Sequence, residues 1–205
     1  MSAPPRVRRA RPDETASVAA ILTEAFVYEA GLNYWLRQGR AKDRARRRFF
    51  DAAVGDVVHP RRELWLAETD GAPLGAAIWL GPGCKAYDFS FFQQVAMMPL
   101  LFSISGISGS LRGLALGEDL AKHHPRAPHA HLVFLGVAGS AQGRGVGSAI
   151  LKHTLAPLDA DGVTAFLETT TERNVALYER HGFATTGELN LPGVHIWAMT
   201  RAPQR

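Results

Sequence analysis

The chain of 205 residues has one cysteine and no long uninterrupted apolar run, and we predict no secretory leader. The lone Cys84 excludes an intrachain disulfide and fits a reducing compartment, so we predict a cytoplasmic location. The N-terminus is basic but leads into no apolar segment, which argues against a secretory signal. The most apolar stretch, residues 91–107, is interrupted by two glutamines, a proline and a glycine and falls short of the ~20 apolar residues that a membrane span needs. We therefore predict no membrane partner.

The sequence is basic but has no nucleic-acid-binding motif. Its formal net charge is +4, and arginines are concentrated in residues 6–11 and 44–48. Such clusters can bind nucleic acid, but no aromatic residues alternate with these arginines. We interpret the clusters as a terminal segment and a solvated helix face, and predict no nucleic-acid partner. Since no repeat, linker or low-complexity segment divides the chain, a single domain over residues 1–205 is predicted.

Apolar residues recur at strand and helix spacing and predict a mixed chain. Acidic residues in Arg11-Pro12-Asp13-Glu14 suit the start of the first helix. Strands are predicted at residues 7–10, 63–68, 74–80, 131–137, 164–169, 184–191 and 194–200. Helices are predicted at residues 16–26, 40–57, 146–158 and 173–181, with shorter helical pieces around 91–101 and 117–123 in the poorly patterned stretch 85–127.

A glycine-rich turn between a strand and a helix carries the clearest chemical signal. Gly143, Gly145 and Gly147 lack Cβ atoms, so they let the backbone approach a ligand closely. Exposed N–H groups at the start of the following helix favour a phosphate or pyrophosphate. The alternative is a tight turn in which glycine serves packing only. No metal site is predicted.

Two familiar phosphate-binding motifs do not fit this turn. A P-loop requires Gly-Lys-Ser/Thr, which is absent. A dinucleotide fingerprint begins at Gly143-Arg144-Gly145, but Ser148 occupies the place of its third glycine. Glu168 imitates the acid that such folds use for the ribose. A Rossmann-like nucleotide-dependent enzyme therefore stays open as an alternative at this point.

Two further segments make the turn more specific. Gln142-x-x-Gly145-x-Gly147 resembles the coenzyme A pyrophosphate loop of the GNAT superfamily of N-acetyltransferases. The run from Phe166 to Phe183, with Asn174 and Tyr178 on one helix, is similar to the second cofactor element of that superfamily. The last strand also resembles that of the superfamily. Within the superfamily, residues 129–201 look most like puromycin-acetyltransferase-like bacterial proteins. The resemblance is much weaker before residue 129.

The resemblance implies an α/β (α+β) GNAT fold, with a mixed, mostly antiparallel sheet of about seven strands, a parallel pair splayed at the cofactor and flanking helices. It implies acetyl-CoA as the cofactor, bound by residues 129–201. Backbone N–H groups of Gly136 and Val137 match the position that polarises the thioester carbonyl. The implied cofactor-binding residues are Leu135, Gly136, Val137, Gln142, Gly143, Arg144, Gly145, Val146, Gly147, Ser148, Asn174 and Tyr178.

The resemblance also suggests catalytic roles. Tyr178 is the candidate acid for the departing thiolate, or else a core aromatic with a satisfied hydroxyl. Glu168 would bind the amine or relay its proton through water, or else would pair with Arg173 or Arg180 at a strand end. His129 is a second candidate base, with His131 as a further one. His123 and His124 are predicted to be surface residues. Candidate walls of the substrate pocket, or else ordinary core, are Phe26, Tyr34, Trp35, Trp79 and Met97.

The sequence thus predicts direct transfer of an acetyl group from acetyl-CoA to an amine of a small molecule. Two hypotheses compete with this prediction, a non-catalytic acyl-CoA-binding regulator and a protein or peptide acetyltransferase. A homodimer is one candidate assembly. The acceptor amine, the general base and the acyl-chain preference are not fixed by the sequence.

Overall fold

The computed structural model describes residues 4–87 and 90–204, and for Asp56 it describes the backbone alone. Seven strands are formed: β1 (Arg6–Arg9), β2 (Glu63–Thr69), β3 (Ala72–Leu80), β4 (Ala130–Val137), β5 (Ala165–Thr169), β6 (Ala184–Leu191) and β7 (Val194–Arg201). Six α-helices accompany them: α1 (Thr15–Ala25), α2 (Ala30–Trp35), α3 (Lys42–Ala52), α4 (Phe91–Ala121), α5 (Val146–Ala160) and α6 (Glu172–Glu179). The sequence predicted all seven strands to within a few residues.

One mixed sheet joins the seven strands in the order β1-β2-β3-β4-β5-β7-β6. Every neighbouring pair is antiparallel except β4 and β5, which are parallel. Helices cover both faces of the sheet, so the predicted fold class is confirmed. The prediction of a single domain, with its cofactor half at residues 129–201, stays a prediction.

The two faces of the sheet bury different cores. Alternate residues of β3 face opposite ways, as the pleat requires. Ile78 packs with Leu22 of α1 and Phe50 of α3, whereas Ala77 packs with Ile150 of α5. Below, the α1 face is the side covered by α1 and α3, and the α5 face is the side covered by α5. A smaller third cluster joins Leu116 of α4 to Val194 and Ile196 of β7.

The stretch that the sequence predicted least well folds as a long bent helix. α4 is continuous from Phe91 to Ala121 except at Gly106, where the backbone leaves helical geometry with a φ of 68°. The second helical piece therefore begins well before the predicted residue 117. Gly109 lies directly against the carbonyl of Trp35, where a Cβ would meet the oxygen at 2.2 Å. The small residues that obscured the helical pattern thus allow α4 to pack closely on α2.

α4 is also longer and more apolar than its sequence pattern suggested. By length and composition alone it could cross a membrane, and 22% of its most apolar window is buried. The prediction that this segment is too short and interrupted is therefore wrong on length. A single such helix is weak evidence for a span, and Ile104, Ser105, Gly109, Ser110 and Leu116 are buried in the fold. The predicted absence of a membrane partner stays a prediction.

Arg8 fastens β1 to the start of α1 and to β2. Its guanidinium donates two hydrogen bonds to Glu68 and two to Glu14, at 2.6–3.1 Å. The hydrogen bonds from Arg8, together with one from the backbone N–H of Arg11, lower the pKa of the Glu14 carboxyl from 4.5 to about 2. A carboxyl with a depressed pKa stabilises the fold above its unfolded value and loses that contribution as the pH falls towards the folded value.

We expect Glu14→Gln to be less stable than the wild type at pH 7, and the gap to shrink as the pH falls from about 4.5 to about 2. Urea unfolding across this range measures the gap. The matched control is Asp13→Asn, since the Asp13 side chain is largely exposed. A gap that is constant with pH would contradict the role of the ionised Glu14.

Candidate active site

The glycine-rich turn forms an exposed ledge at the start of α5. Gln142, Gly143, Arg144 and Gly145 are exposed, while Val146 is buried in the core. Gly143 and Gly145 have φ values of 74° and 81°, which side chains disfavour. No side chain caps α5 among the described residues, so its first N–H groups face solvent. The ledge can therefore accept an anion by backbone contacts, and the exposed Arg144 guanidinium, which has no ion-pair partner among the described residues, adds positive charge.

Two predicted cofactor residues at this turn have other partners. The Ser148 hydroxyl lies 2.7 Å from Nε2 of His181, which joins the first turn of α5 to the end of α6. Gly147 has ordinary helical geometry, and a Cβ there would meet nothing closer than 3.7 Å. The Gln142 amide bonds to the Val137 carbonyl at 3.3 Å and so shapes the turn. Ser148 and Gln142 thus have structural contacts that their spacing did not reveal.

β4 and β5 separate immediately beside this turn. Their parallel pairing covers only Ala130–Leu132 of β4 and Ala165–Leu167 of β5. Beyond it, β4 stays paired with β3 and β5 with β7. The opening between the two strands, called the splay below, exposes backbone groups on their inner edges. This is the feature expected from the family resemblance.

The strand geometry assigns different directions to the Gly136 and Val137 N–H groups. The N–H of Ala138 donates to the Leu74 carbonyl of β3. Because N–H directions alternate along a strand, the Gly136 N–H also points to β3, whereas those of Leu135 and Val137 point into the splay. Gly136 is therefore not placed to polarise a carbonyl there. Its lack of a Cβ instead lets α1 approach β4, since a Cβ would lie 2.8 Å from that of Ala25.

Tyr178 lies on the α5 face, in α6. It is 6% exposed and packs edge-on against Phe183, with ring centroids 5.9 Å apart. Burial raises the pKa of its hydroxyl, which keeps the group protonated. Within the described part of the chain, no hydrogen bond to this hydroxyl is found. Asn174, one turn earlier, is half-buried. Tyr178 is thus both a core aromatic and a free hydrogen-bond donor.

Glu168 lies on the opposite, α1 face, one residue beyond the last parallel pair. Its carboxylate contacts Nε2 of His131 at 2.8 Å and Nε2 of His124 at 3.1 Å. Burial alone would raise the pKa of this carboxyl, but its interactions with His131 and His124 outweigh burial and lower the pKa to about 2. The expected alternative pairing with Arg173 or Arg180 is not formed. The carboxylate is therefore ionised at neutral pH and is held by histidines.

His124 is not the surface residue that the sequence predicted. It lies between Glu168 and His129, with its Nδ1 3.2 Å from Nε2 of His129. The ring of Phe166 packs against it at 4.4 Å. Burial lowers the pKa of His129. His124 escaped prediction because it belongs to a loop without periodicity that returns the chain from α4 to β4.

Three of these residues also form the one arrangement resembling a metal site among the described residues. The ligand atoms of His124, His131 and Glu168 lie within 4.8 Å of one another. Zn²⁺ accepts a two-histidine, one-carboxylate set. Here each Nε2 is already directed at the carboxylate, and the buried Nδ1 of His131 has no partner to orient the ring as a ligand. The absence of a resident metal stays a prediction.

The candidate pocket residues do not form one wall. Phe26 belongs to an aromatic cluster with Phe50 and Phe134, at centroid distances of 5.2 and 5.6 Å. Trp35 packs on Phe49 at 5.4 Å, and Tyr34 lies beneath the guanidinium of Arg112. Met97 is half-buried on α4.

Trp79 must be removed from this set. It is 3% exposed and lies in the core of the α5 face, on the other side of the sheet from Phe26. Because β3 is buried on both faces, its sequence shows no polar alternation that could have assigned the face.

Two acidic side chains that the sequence did not single out fix the surroundings of the splay. Glu29 caps α2 and accepts the Thr170 hydroxyl, which joins α2 to the end of β5. Glu24 of α1 accepts the Gly139 N–H at 2.7 Å, just before the glycine-rich turn. Spacing along the chain could not show these contacts, since each pair is more than one hundred residues apart.

Comparison with known proteins identifies the family. The sequence profile of the acetyltransferase (GNAT) family matches residues 28–183, and the chain belongs to this family. A structure from Corynebacterium glutamicum described as histone acetyltransferase HPA2 and related acetyltransferase is 25% identical. It has a TM-score of 0.78 and covers 99% of this chain and 98% of that one.

Two less similar structures share the fold. Mosquito arylalkylamine N-acetyltransferase like 5b has a TM-score of 0.62 and 18% identity, covering 97% of this chain and 99% of that one. The ribosomal-protein-S18-alanine N-acetyltransferase from Escherichia coli has a TM-score of 0.58 and 13% identity, covering 98% and 95%. Family membership supports acetyl transfer in general, with an acyl-CoA donor, and excludes the Rossmann-like alternative.

The glycines of the turn are expected to differ in their effect on stability. Gly145→Ala should destabilise the fold by about 1–2 kcal/mol, because alanine is strained at a left-handed backbone position. Gly147→Ala is the matched control. It should not lower the free energy of unfolding, because the helical geometry and the surroundings of Gly147 accept a methyl group. Chemical unfolding compares the two, and equal losses would contradict the assignment of strain to Gly145.

Proposed function

We propose that this protein transfers an acetyl group from acetyl-CoA directly to an amine of a small molecule. One observation carries the proposal. An ionised carboxylate held by histidines lies on the α1 face, one residue beyond the last parallel pair of β4 and β5, and a protonated tyrosine lies in the core of the opposite face. A thioester placed in the splay would meet the amine from the α1 face and the acid from the α5 face.

The cofactor would be held by backbone groups. The pyrophosphate of coenzyme A would lie on the exposed ledge at Gly143 and Gly145, where N–H groups and the Arg144 charge favour an anion. The pantetheine arm would enter the splay and bond to strand groups that have no partner strand. The Val137 N–H, rather than that of Gly136, would then be directed at the thioester carbonyl.

The chemistry needs a proton removed from the amine and one given to the thiolate. Glu168 would hold the amine and accept its proton directly or through water. Tyr178 would donate to the thiolate, since no described residue offers an acceptor to its hydroxyl. When the C–S bond breaks, the tyrosine proton passes to sulfur, and solvent restores it afterwards.

Several observations favour a small amine over a protein. The Glu168 carboxylate is 15% exposed and lies beneath His124 and Phe166, so a compact cation reaches it more readily than a polypeptide. α2 and α4 also pack on the α1 face, where α2 contributes the aromatic side chains of Tyr34 and Trp35. We also expect a finer likeness to puromycin-acetyltransferase-like proteins, a cytoplasmic location and a homodimer. The similar structures include a histone acetyltransferase and a ribosomal-protein acetyltransferase, so the competing acceptor is an amine of a protein.

A thiol-release assay with acetyl-CoA and a panel of amines tests this function. The panel comprises aminonucleosides, arylalkylamines, polyamines, aminoglycosides, amino acids and histone-tail peptides. We expect turnover with at least one small amine at a kcat/KM above that of every peptide. Coenzyme A binding without turnover on any amine would contradict catalysis, and preference for a peptide would contradict the small-molecule acceptor.

We expect Tyr178→Phe to reduce kcat by about 10²-fold while leaving the Kd for acetyl-CoA within a factor of about three. The phenylalanine keeps the ring packing on Phe183 and removes only the hydroxyl. Steady-state kinetics and calorimetry measure the two quantities. Tyr28→Phe is the control for loss of a tyrosine hydroxyl elsewhere, since Tyr28 is 94% exposed. An unchanged kcat in Tyr178→Phe would exclude the acid role.

Gly147→Ala separates cofactor binding from packing. If the glycine is needed only for the fold, this variant should bind acetyl-CoA normally, because a methyl group fits. If the backbone lies against the pyrophosphate, we expect the Kd to rise about tenfold with no loss of thermal stability. Calorimetric titration with acetyl-CoA decides, and an unchanged Kd would contradict the predicted close approach.

A further inference from the structure

Four side chains form a continuous chain of polar contacts on the α1 face. The Ala127 carbonyl lies 2.9 Å from Nδ1 of His129, and Nε2 of His129 lies 3.2 Å from Nδ1 of His124. Nε2 of His124 lies 3.1 Å from one oxygen of Glu168, whose other oxygen lies 2.8 Å from Nε2 of His131. The contacts join the loop after α4 to β4 and β5.

Counting hydrogens along this chain fixes its charge. Carbonyl and carboxylate oxygens only accept, so Nδ1 of His129 and Nε2 of His124 must both carry hydrogen. The contact between the two rings needs a third hydrogen, on either nitrogen. Two neutral imidazoles carry only two N–H groups, so forming all three contacts as hydrogen bonds requires one imidazolium shared by His124 and His129. The positive charge of that imidazolium would balance the carboxylate of Glu168.

His131 does not share this proton. Its Nε2 must donate to Glu168, and its Nδ1 is buried with no partner in the described part of the chain. A second N–H at that nitrogen would be buried without an acceptor, which costs free energy. His131 therefore donates from Nε2 and orients the carboxylate. It is a positioning residue, whereas the proton resides on the other two histidines.

Exposure increases along the chain from Glu168 outwards. The Glu168 and His131 side chains are 15% and 7% exposed, and His124 is 26% exposed. Phe166 packs against all three imidazoles, at centroid distances of 4.4–5.5 Å, and keeps water from the buried contacts. The outer end of the chain of contacts, at His129 and the exposed Ala127, opens to solvent.

We infer that His124 and His129 together hold and release the proton that the acceptor amine loses. This inference rests on the proposed function. The shared imidazolium is the state of the pair after it has taken up the proton. Before the reaction the pair is neutral: Nε2 of His124 carries no hydrogen, and each Nδ1 keeps its hydrogen. As the amine forms its bond to the acetyl carbon, its N–H bond breaks and the proton passes through the Glu168 carboxylate to Nε2 of His124. The pair becomes the shared imidazolium, and His129 returns one proton to solvent.

Among the residues that the structure describes, few other titratable groups face this pair. Tyr87, from the loop before α4, is near enough to Glu168 for that charge to raise its pKa, although burial is the larger cause. His131 faces the ring of His124 at 4.9 Å. Adjacent His123 instead contacts the Asp119 carbonyl at the end of α4 and lies outside the chain of contacts. His123 therefore provides a control.

Nitrogen NMR of the imidazole rings in the full-length protein, without any ligand, tests the shared proton directly. When acid is added, we expect His124 and His129 to gain one proton between them, in a single step seen on both rings. His131 should keep hydrogen on Nε2 through that step. Separate uptake of a full proton by each ring, or two neutral rings throughout, would overturn the inference whether or not the protein proves to be an acetyltransferase.

Kinetics test the route in the active enzyme. In dilute buffer, we expect His124→Gln and His129→Gln each to lower kcat by roughly 10²-fold, since glutamine keeps a polar contact but cannot carry the proton. Added imidazole should restore much of the loss, and His123→Gln should behave as the wild type. Wild-type kcat in both variants would overturn the inference, as would a loss that imidazole does not rescue in variants with native circular dichroism. A wild type inactive on all amines would instead refute the proposed function.

Discussion

The separation of β4 from β5 after three paired residues is the constraint on which the site depends. Each strand keeps its outer partner, β3 or β7, so only the inner edges lose their hydrogen bonds. Unpaired backbone groups inside a protein must be satisfied by something. An extended ligand with amide groups, such as the pantetheine arm, would meet this need, which is why the proposed cofactor lies in the splay.

The opening also needs support from outside the two strands. α1 approaches β4 closely at Gly136, and its Glu24 side chain reaches the N–H of Gly139. Glu29 ties α2 to Thr170 at the end of β5. The β4 side of the splay is thus held by α1, and the β5 side is held by α2. Because these contacts join the N-terminal third to the C-terminal third, the acceptor side and the cofactor side are positioned by one another.

The sequence predicted the strands, the glycine-rich turn and Tyr178, because each has a local pattern. It could not place Trp79, since a strand buried on both faces has no polar alternation to distinguish them. It missed the continuity of α4, because Gly109 and its neighbours serve close packing on Trp35 instead of breaking the helix. It took His124 for a surface residue, because only the return of the chain from α4 to β4 brings that ring to Glu168.

The two faces of the sheet explain why the proposed reaction can use two separate proton paths. Tyr178 belongs to the core of the α5 face and has no polar partner in the described part of the chain, so it can give a proton to sulfur without drawing on Glu168. Glu168 is balanced by a cation on the α1 face and reaches solvent through His124 and His129. If a single residue were both the base for the amine and the acid for the thiolate, the proton would have to pass from one side of the bound thioester to the other. With the strands splayed between them, the amine proton leaves on one side while the thiolate is protonated on the other.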